Sequence, residues 1–226
     1  MNYWLFVIII PLALGLLATA YVNRQLKKYS GVRSVSGITG REAGERMLAA
    51  NGVQGVQIHR GAEGQDHFDP RTNSISLSPS VYDGYSVTAY ATACHEVGHA
   101  CQYAQAYGPM KVRSALWPVV NFAQNTWFYV FLAGVLIASA SPCMGQTLYT
   151  IAIVLYAAVV LFQLITLPVE LNASHRAMDY MKGVGLPQGE TSGAFSVLRA
   201  CALTYVAAAL ASLLQLLYLI SVRENR

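Results

Sequence analysis

The chain has 226 residues, 54% of them hydrophobic and 12% charged, with a net charge of +4. A charged fraction about half that of a globular domain excludes an ordinary soluble protein and points to an integral membrane protein. The basic residues form no cluster interleaved with aromatics, so no nucleic-acid face is expected; four cysteines without a C-x-x-C pair imply no disulfide framework.

Residues 3–22 form an uncharged apolar run, long enough to cross a bilayer core. No Lys or Arg precedes it, as a signal peptide would require, so it reads as a retained anchor. Arg24, Lys27, Lys28, Arg33, Arg41 and Arg46 follow at once, which sets this side as cytoplasmic and the N-terminus outside.

Residues 23–116 are the only long polar stretch and predict a small α+β domain. Thr39-Gly40-Arg41-Glu42 is a capping box that opens a helix, and Asn51-Gly52 closes it. Val53 to His59 reads as a strand, and Asp66-His67-Phe68-Asp69-Pro70-Arg71-Thr72-Asn73 contains a turn signal. Ser74-Ile75-Ser76-Leu77-Ser78 alternates as a second short strand. An extended peptide added to its free edge would make Ser74, Ile75 and Ser76 substrate contacts; a plain hairpin packed on the next helix is the other reading. His67, beside Asp69, is a candidate for positioning substrate. His59 and His67 are isolated, and neither is expected to touch a metal.

The next helix opens at Ser86, a good N-cap, and contains Cys94-His95-Glu96-Val97-Gly98-His99-Ala100, an H-E-x-x-H motif. Residues four apart share a helix face, so His95 and His99 can point at one ion, and a pair of imidazoles suits Zn²⁺. Glu96 lies roughly 100° further round, placed to take a proton from a water that zinc acidifies. Cys94 and Cys101 read as small core residues rather than ligands.

Residues 118–140 form a second span, whose Asn121, Gln124 and Asn125 are expected to hydrogen-bond between helices. A short uncharged turn at 141–146 leads to a third span, 147–168, which returns to the cytoplasm. Glu170 follows directly and so emerges on the same side as the two histidines. A His₂Glu zinc site needs such a downstream glutamate, and Glu170 is favoured as third ligand, with His175 its competitor. Residues 178–196 read as a polar loop, and 196–222 as a fourth span in which Arg199 snorkels to the interface.

The expected architecture is thus a mainly α integral membrane protein with about four transmembrane helices and a small α+β zincin-like cytoplasmic domain. Its parts are an anchor (1–22), the domain carrying the motif helix (23–116), a transmembrane hairpin (117–168), a cytoplasmic segment with the third ligand (169–196), and a final helix and tail (197–226).

Four blocks in order carry a resemblance. They are Asp66-His67-Phe68-Asp69-Pro70, Ala93-Cys94-His95-Glu96-Val97-Gly98-His99-Ala100, Leu167-Pro168-Val169-Glu170-Leu171-Asn172-Ala173-Ser174 and Ala202-Leu203-Thr204-Tyr205-Val206-Ala207. Together they resemble the YugP-type neutral zinc metallopeptidases, a family of bacterial membrane proteins. The resemblance implies a membrane-bound zinc protease with Glu170 as third ligand, by the position of its motif. Phe68 stands where tyrosine is usual, and His175 is not a hallmark of the family; neither departure touches the expected ligands.

The function expected is a zinc metalloendopeptidase of the bacterial cytoplasmic membrane, multi-pass, with one Zn²⁺ per chain and its site on the cytoplasmic side. Its partners are the lipid bilayer and protein or peptide substrates, membrane proteins among them. Candidate partners for the oxyanion are His175, Arg176 and Tyr205, and Ser174 is placed to orient a ligand from behind. An intramembrane protease would need the motif inside an apolar span, yet its helix carries Ser86, Thr88, Thr92 and Gln102. Against a non-enzymatic, zinc-stabilised scaffold stands Glu96, a base that a structural site does not need.

Overall fold

The computed structural model describes residues 9–224, which form seven α-helices and three strands. In chain order these are α1 (Ile10–Ser30), α2 (Gly40–Ala50), β1 (Gln57–Arg60), β2 (His67–Asp69), β3 (Ser74–Leu77), α3 (Pro79–Tyr82), α4 (Val87–Ala104), α5 (Gly108–Ile137), α6 (Pro142–Gly183) and α7 (Gln188–Glu224). Three of them, α5, α6 and α7, are long and apolar enough to cross a membrane. The expected anchor at 3–22 begins outside the described residues; from Ile10 the chain is helical as far as Ser30, past Lys27 and Lys28.

The chain divides into two compact units, one built from residues up to Leu17, Val112–Leu167 and Tyr205 onward, the other from Ala18–Lys111 and Pro168–Thr204. In the first, Val120 and Ala123 of α5, Tyr156, Val159, Val160 and Phe162 of α6 and Leu219 of α7 share a core. The Trp127 and Tyr156 rings lie 4.5 Å apart within it. Phe122, Tyr129, Leu136 and Val154 face outward, as side chains facing lipid do. Asn125 bonds back to the Asn121 carbonyl at 2.7 Å, within its own helix rather than across to another.

The second unit is built around α4. Ser86 caps it, accepting from the Ala89 N–H at 3.1 Å. The capping box of α2 is formed on both sides: Thr39 Oγ1 accepts from the Glu42 N–H, and Glu42 Oε2 accepts from the Thr39 N–H. Asn51 ends that helix, and Gly52 takes the left-handed conformation (φ 66°) that glycine allows at a C-terminus. Small and apolar residues of α4, among them Ala91, Ala93, Cys94, Val97 and Cys101, are fully buried. They pack with Ala43 and Met47 of α2, Ile75 and Leu77 of β3, and Ala194, Val197 and Leu198 of α7. From α6 come Val169, Ala173, Ala177 and Met181, one every fourth residue and so one stripe along that helix. A buried carboxylate fastens the far end of this unit: Glu190 accepts from Ser34 Oγ at 2.7 Å and from the Val35 N–H at 2.8 Å.

Two expectations need correction. Residues 178–196 are not a loop: α6 runs on to Gly183, α7 starts at Gln188, and only 184–187 connect them. Polar residues there lie on helices that continue, and Met178, Met181 and Ala194 in the same stretch pack in the core of this unit. And β3 has no free edge. The sheet order is β1-β3-β2, with β3 parallel to β1 and antiparallel to β2, so both its sides are hydrogen-bonded. Alternation in 74–78 showed that one face is buried but not what lies beside it.

At Gly98, α4 comes close to α6. A Cβ there would lie 2.6 Å from the Ala173 carbonyl oxygen, a main-chain atom that cannot swing aside. Gly98→Ala is therefore expected to force the helices apart and to lose about 1–3 kcal/mol, measured as a lower midpoint of thermal unfolding in detergent.

Candidate metal centre

On α4, His95 and His99 stand one turn apart with ring centroids 4.8 Å from each other and planes at 83°. Glu170 reaches them from α6, with Oε2 3.3 Å from His95 Nε2 and 3.4 Å from His99 Nε2. Among the described residues, this trio is the group of histidine, cysteine and acidic side chains that could hold a metal ion, its donor atoms all within 4.8 Å of one another. Zinc binds nitrogen and carboxylate oxygen at about 2.0–2.2 Å in tetrahedral geometry, which sets neighbouring donors about 3.3–3.5 Å apart. Both separations from Glu170 fall in that range, within a spread of up to 4.8 Å across the trio that an ion would draw in, and the donor set of two imidazoles and a carboxylate suits zinc chemically. The residues present fit the ion.

Each imidazole offers Nε2 to the centre and is held from behind through Nδ1. Ser174 Oγ lies 3.2 Å from His95 Nδ1, and Gln102 Oε1 lies 3.0 Å from His99 Nδ1. Such contacts fix ring orientation in metal sites. Glu170 is only 2% exposed and His99 6%, so the trio is largely withdrawn from water, and His95 is the more open of the ligands. Partners of opposite or convertible charge are what make a buried carboxylate tolerable.

Glu96 sits beside them, 8% exposed. Burial pushes its carboxyl up to about 7, with Glu170 and Asp66 adding to the rise, while His95 and the Phe68 main-chain N–H oppose it. A group that titrates near neutrality can both take and return a proton at the pH of a cell. Asp66 is itself fastened by the Ser78 N–H at 2.6 Å and the Ser78 hydroxyl at 3.0 Å. Cys94 is fully buried on the same helix, and burial raises its thiol well above the ordinary range, so it packs as a neutral hydrophobe.

The remaining candidates lie elsewhere. His175 is exposed and pairs with Asp179 at 3.2 Å, outside the trio. Arg176 donates to Asn172 Oδ1 at 2.8 Å and to Gln105 Oε1 at 2.6 Å. Tyr205 is a half-buried residue of α7 in the other unit. His67 is exposed, with Nδ1 3.0 Å from the Gln65 carbonyl. Asp69 accepts from Arg71 through both oxygens, at 3.0 and 3.2 Å, and from its N–H at 2.9 Å. Ile75 is wholly buried in the core, whereas Ser74 and Ser76 are half-buried on the opposite side of β3. His59 is exposed on β1. Gln102, which touches His99, and Asn172, which touches Gln102, were noted in the sequence but given no role at the site. The one hint was a glutamine three residues past His99 in a helix otherwise lined with small residues.

Over residues 3–224 the chain matches the family described as "Putative neutral zinc metallopeptidase". It is 42% identical over 225 residues to "Putative membrane protease YugP" of Bacillus subtilis (strain 168), covering 98% of this chain and 97% of that protein. No solved structure matches the chain. A match over nearly its whole length accounts for a zinc-fitting trio in a protein rich in bilayer-length helices: the chain belongs to the neutral zinc metallopeptidase family.

Proposed function

We propose that the protein is a membrane-bound zinc metalloendopeptidase of the His₂Glu kind, holding one Zn²⁺ through His95, His99 and Glu170. The reading rests on one observation: Glu170 Oε2 lies 3.3 and 3.4 Å from the two imidazole Nε2 atoms, so a carboxylate and two imidazoles converge where one ion can touch all three. Bound there, zinc supplies a Lewis acid that polarises a peptide carbonyl and acidifies water. Glu96 takes the proton of the attacking water and returns it to the leaving amine, a role its place beside His95 on the same helix suits. Ser174 and Gln102 keep the imidazoles aimed.

Peptide pairing belongs on the outer edge of β2 rather than on β3. β2 is terminal in the sheet, and the Phe68 N–H in it faces Glu96. An extended chain laid along that edge passes beside the base. The concentration of Lys and Arg on residues 23–116 supports a cytoplasmic active site in a bacterial inner membrane. Protein or peptide substrates, membrane proteins among them, suit an enzyme held at that surface.

The test is hydrolysis of an unstructured protein by the detergent-solubilised wild type, with metal content measured on the same sample. Expected are one zinc per chain, loss of cleavage on chelation, and its return on adding zinc. A protein that carries zinc and cleaves nothing, against a broad panel of substrates, would instead support a zinc-stabilised scaffold.

A further inference from the structure

We propose that Gln102 is a positioning residue: it fixes which nitrogen of His99 faces the metal, and is itself locked by the Val169 carbonyl, Asn172 and Arg176. The inference rests on the zinc-site reading and goes beyond the ligands to what aims one of them.

Gln102 is wholly buried on α4, one turn past His99. Its Nε2 lies 2.7 Å from the Val169 main-chain oxygen and 3.0 Å from Asn172 Oδ1, and its Oε1 lies 3.0 Å from His99 Nδ1. An amide can be turned end for end, so each side must be decided by its neighbours. Here the decision is forced. A main-chain carbonyl can only accept, so the amide nitrogen must face Val169. The amide oxygen then faces His99, and an oxygen can only accept, so Nδ1 of His99 must carry the hydrogen. That leaves the lone pair of the neutral ring on Nε2, the atom turned toward Glu170.

The other end of the chain of bonds is equally one-way. Arg176 only donates, and its Nε lies 2.8 Å from Asn172 Oδ1. Asn172 therefore presents its oxygen to Arg176 and to Gln102 alike, and can take both hydrogens. Arg176 is steadied in turn by Gln105 Oε1 at 2.6 Å. The direction of every bond from Arg176 to His99 follows from the two groups that cannot reverse, the guanidinium and the carbonyl. His95 is held differently. Its partner, the Ser174 hydroxyl, donates or accepts with equal ease, so it steadies the ring without choosing the tautomer.

The experiment is nitrogen NMR on the histidine-labelled, metal-free full chain in micelles, read at a pH where the spectrum itself shows the His99 ring uncharged. Expected is a His99 ring with hydrogen on Nδ1 in the wild type. Gln102→Leu and Asn172→Leu are expected to show mixed tautomers and about 10- to 100-fold weaker zinc binding by chelator competition. Asn172→Asp keeps an acceptor for both Gln102 and Arg176 and is expected to stay near wild type in both measurements. A merely structural role would lower the melting temperature of the Leu variants without moving the tautomer. A wild-type His99 with its hydrogen on Nε2 overturns the proposal, as does a Gln102→Leu protein with unchanged tautomer and affinity. Should that variant not fold, the wild-type spectrum alone decides. A wild type that binds no zinc would sink the metal reading instead, and the tautomer would still judge Gln102.

Discussion

Glu96→Gln protein is expected to bind zinc as tightly as wild type and to hydrolyse peptide bonds about 100- to 10,000-fold more slowly. Glutamine keeps the size and hydrogen-bonding reach of the side chain but cannot hold the proton of the attacking water. None of the three ligand atoms comes from residue 96, so metal content should not change. Metal analysis and a steady-state assay on one preparation check both halves. Cleavage at wild-type rate would remove Glu96 from the mechanism, and loss of zinc would make it part of the metal's support.

The same substitution carries a signature in stability. Burial raises this carboxyl from its ordinary 4.5 to about 7 in the folded protein. A carboxyl raised on folding is bound more tightly to its proton in the native state. Its stabilising share is full below about pH 4.5 and is lost as pH climbs toward 7. Metal-free Glu96→Gln buries no charge at any pH, so its melting temperature should exceed that of wild type above pH 7, with the gap closing on acidification. A parallel pair of melting curves between pH 5 and 8 would count against the burial argument.

Glu170→Ala is expected to lose zinc, with affinity down roughly 1,000-fold, and to lose hydrolysis with it. A three-ligand zinc site supplies on the order of 10 kcal/mol or more, so one ligand is worth roughly a third of that. His175→Ala is the matched control. It removes a histidine five residues further along α6 that is exposed and occupied with Asp179, and should leave zinc content and activity unchanged. Metal content of the two proteins after dialysis decides between the residues. Zinc retained at one per chain in Glu170→Ala would dismantle the proposed centre.

What could be read from the sequence divides by distance along the chain. The spacing of His95 and His99 is a property of one helix, and so were the capping box at Thr39 and the cap at Ser86; local geometry fixes all three. Glu170 came from a longer argument, helped by a resemblance, because its 75-residue separation from His95 leaves no periodic trace. Gln102 was passed over for the same reason: its partners on α6 are 67 and 70 residues away. The short strand at 74–77 was recognised by alternation, which reports on faces, whereas its pairing on both edges depends on β1 and β2. The polar stretch 178–196 was taken as loop on composition, although the beat of Val169, Ala173 and Ala177 runs on into it at Met181.

The second unit joins an early segment, Ala18–Lys111, to a late one, Pro168–Thr204. His95, Glu96 and His99 lie in the first of these segments, whereas Glu170 and the α6 stripe that covers the core come from the second. The unit can therefore close only by bringing together the two ends of the intervening stretch, an entropic cost that the local formation of α4 does not carry.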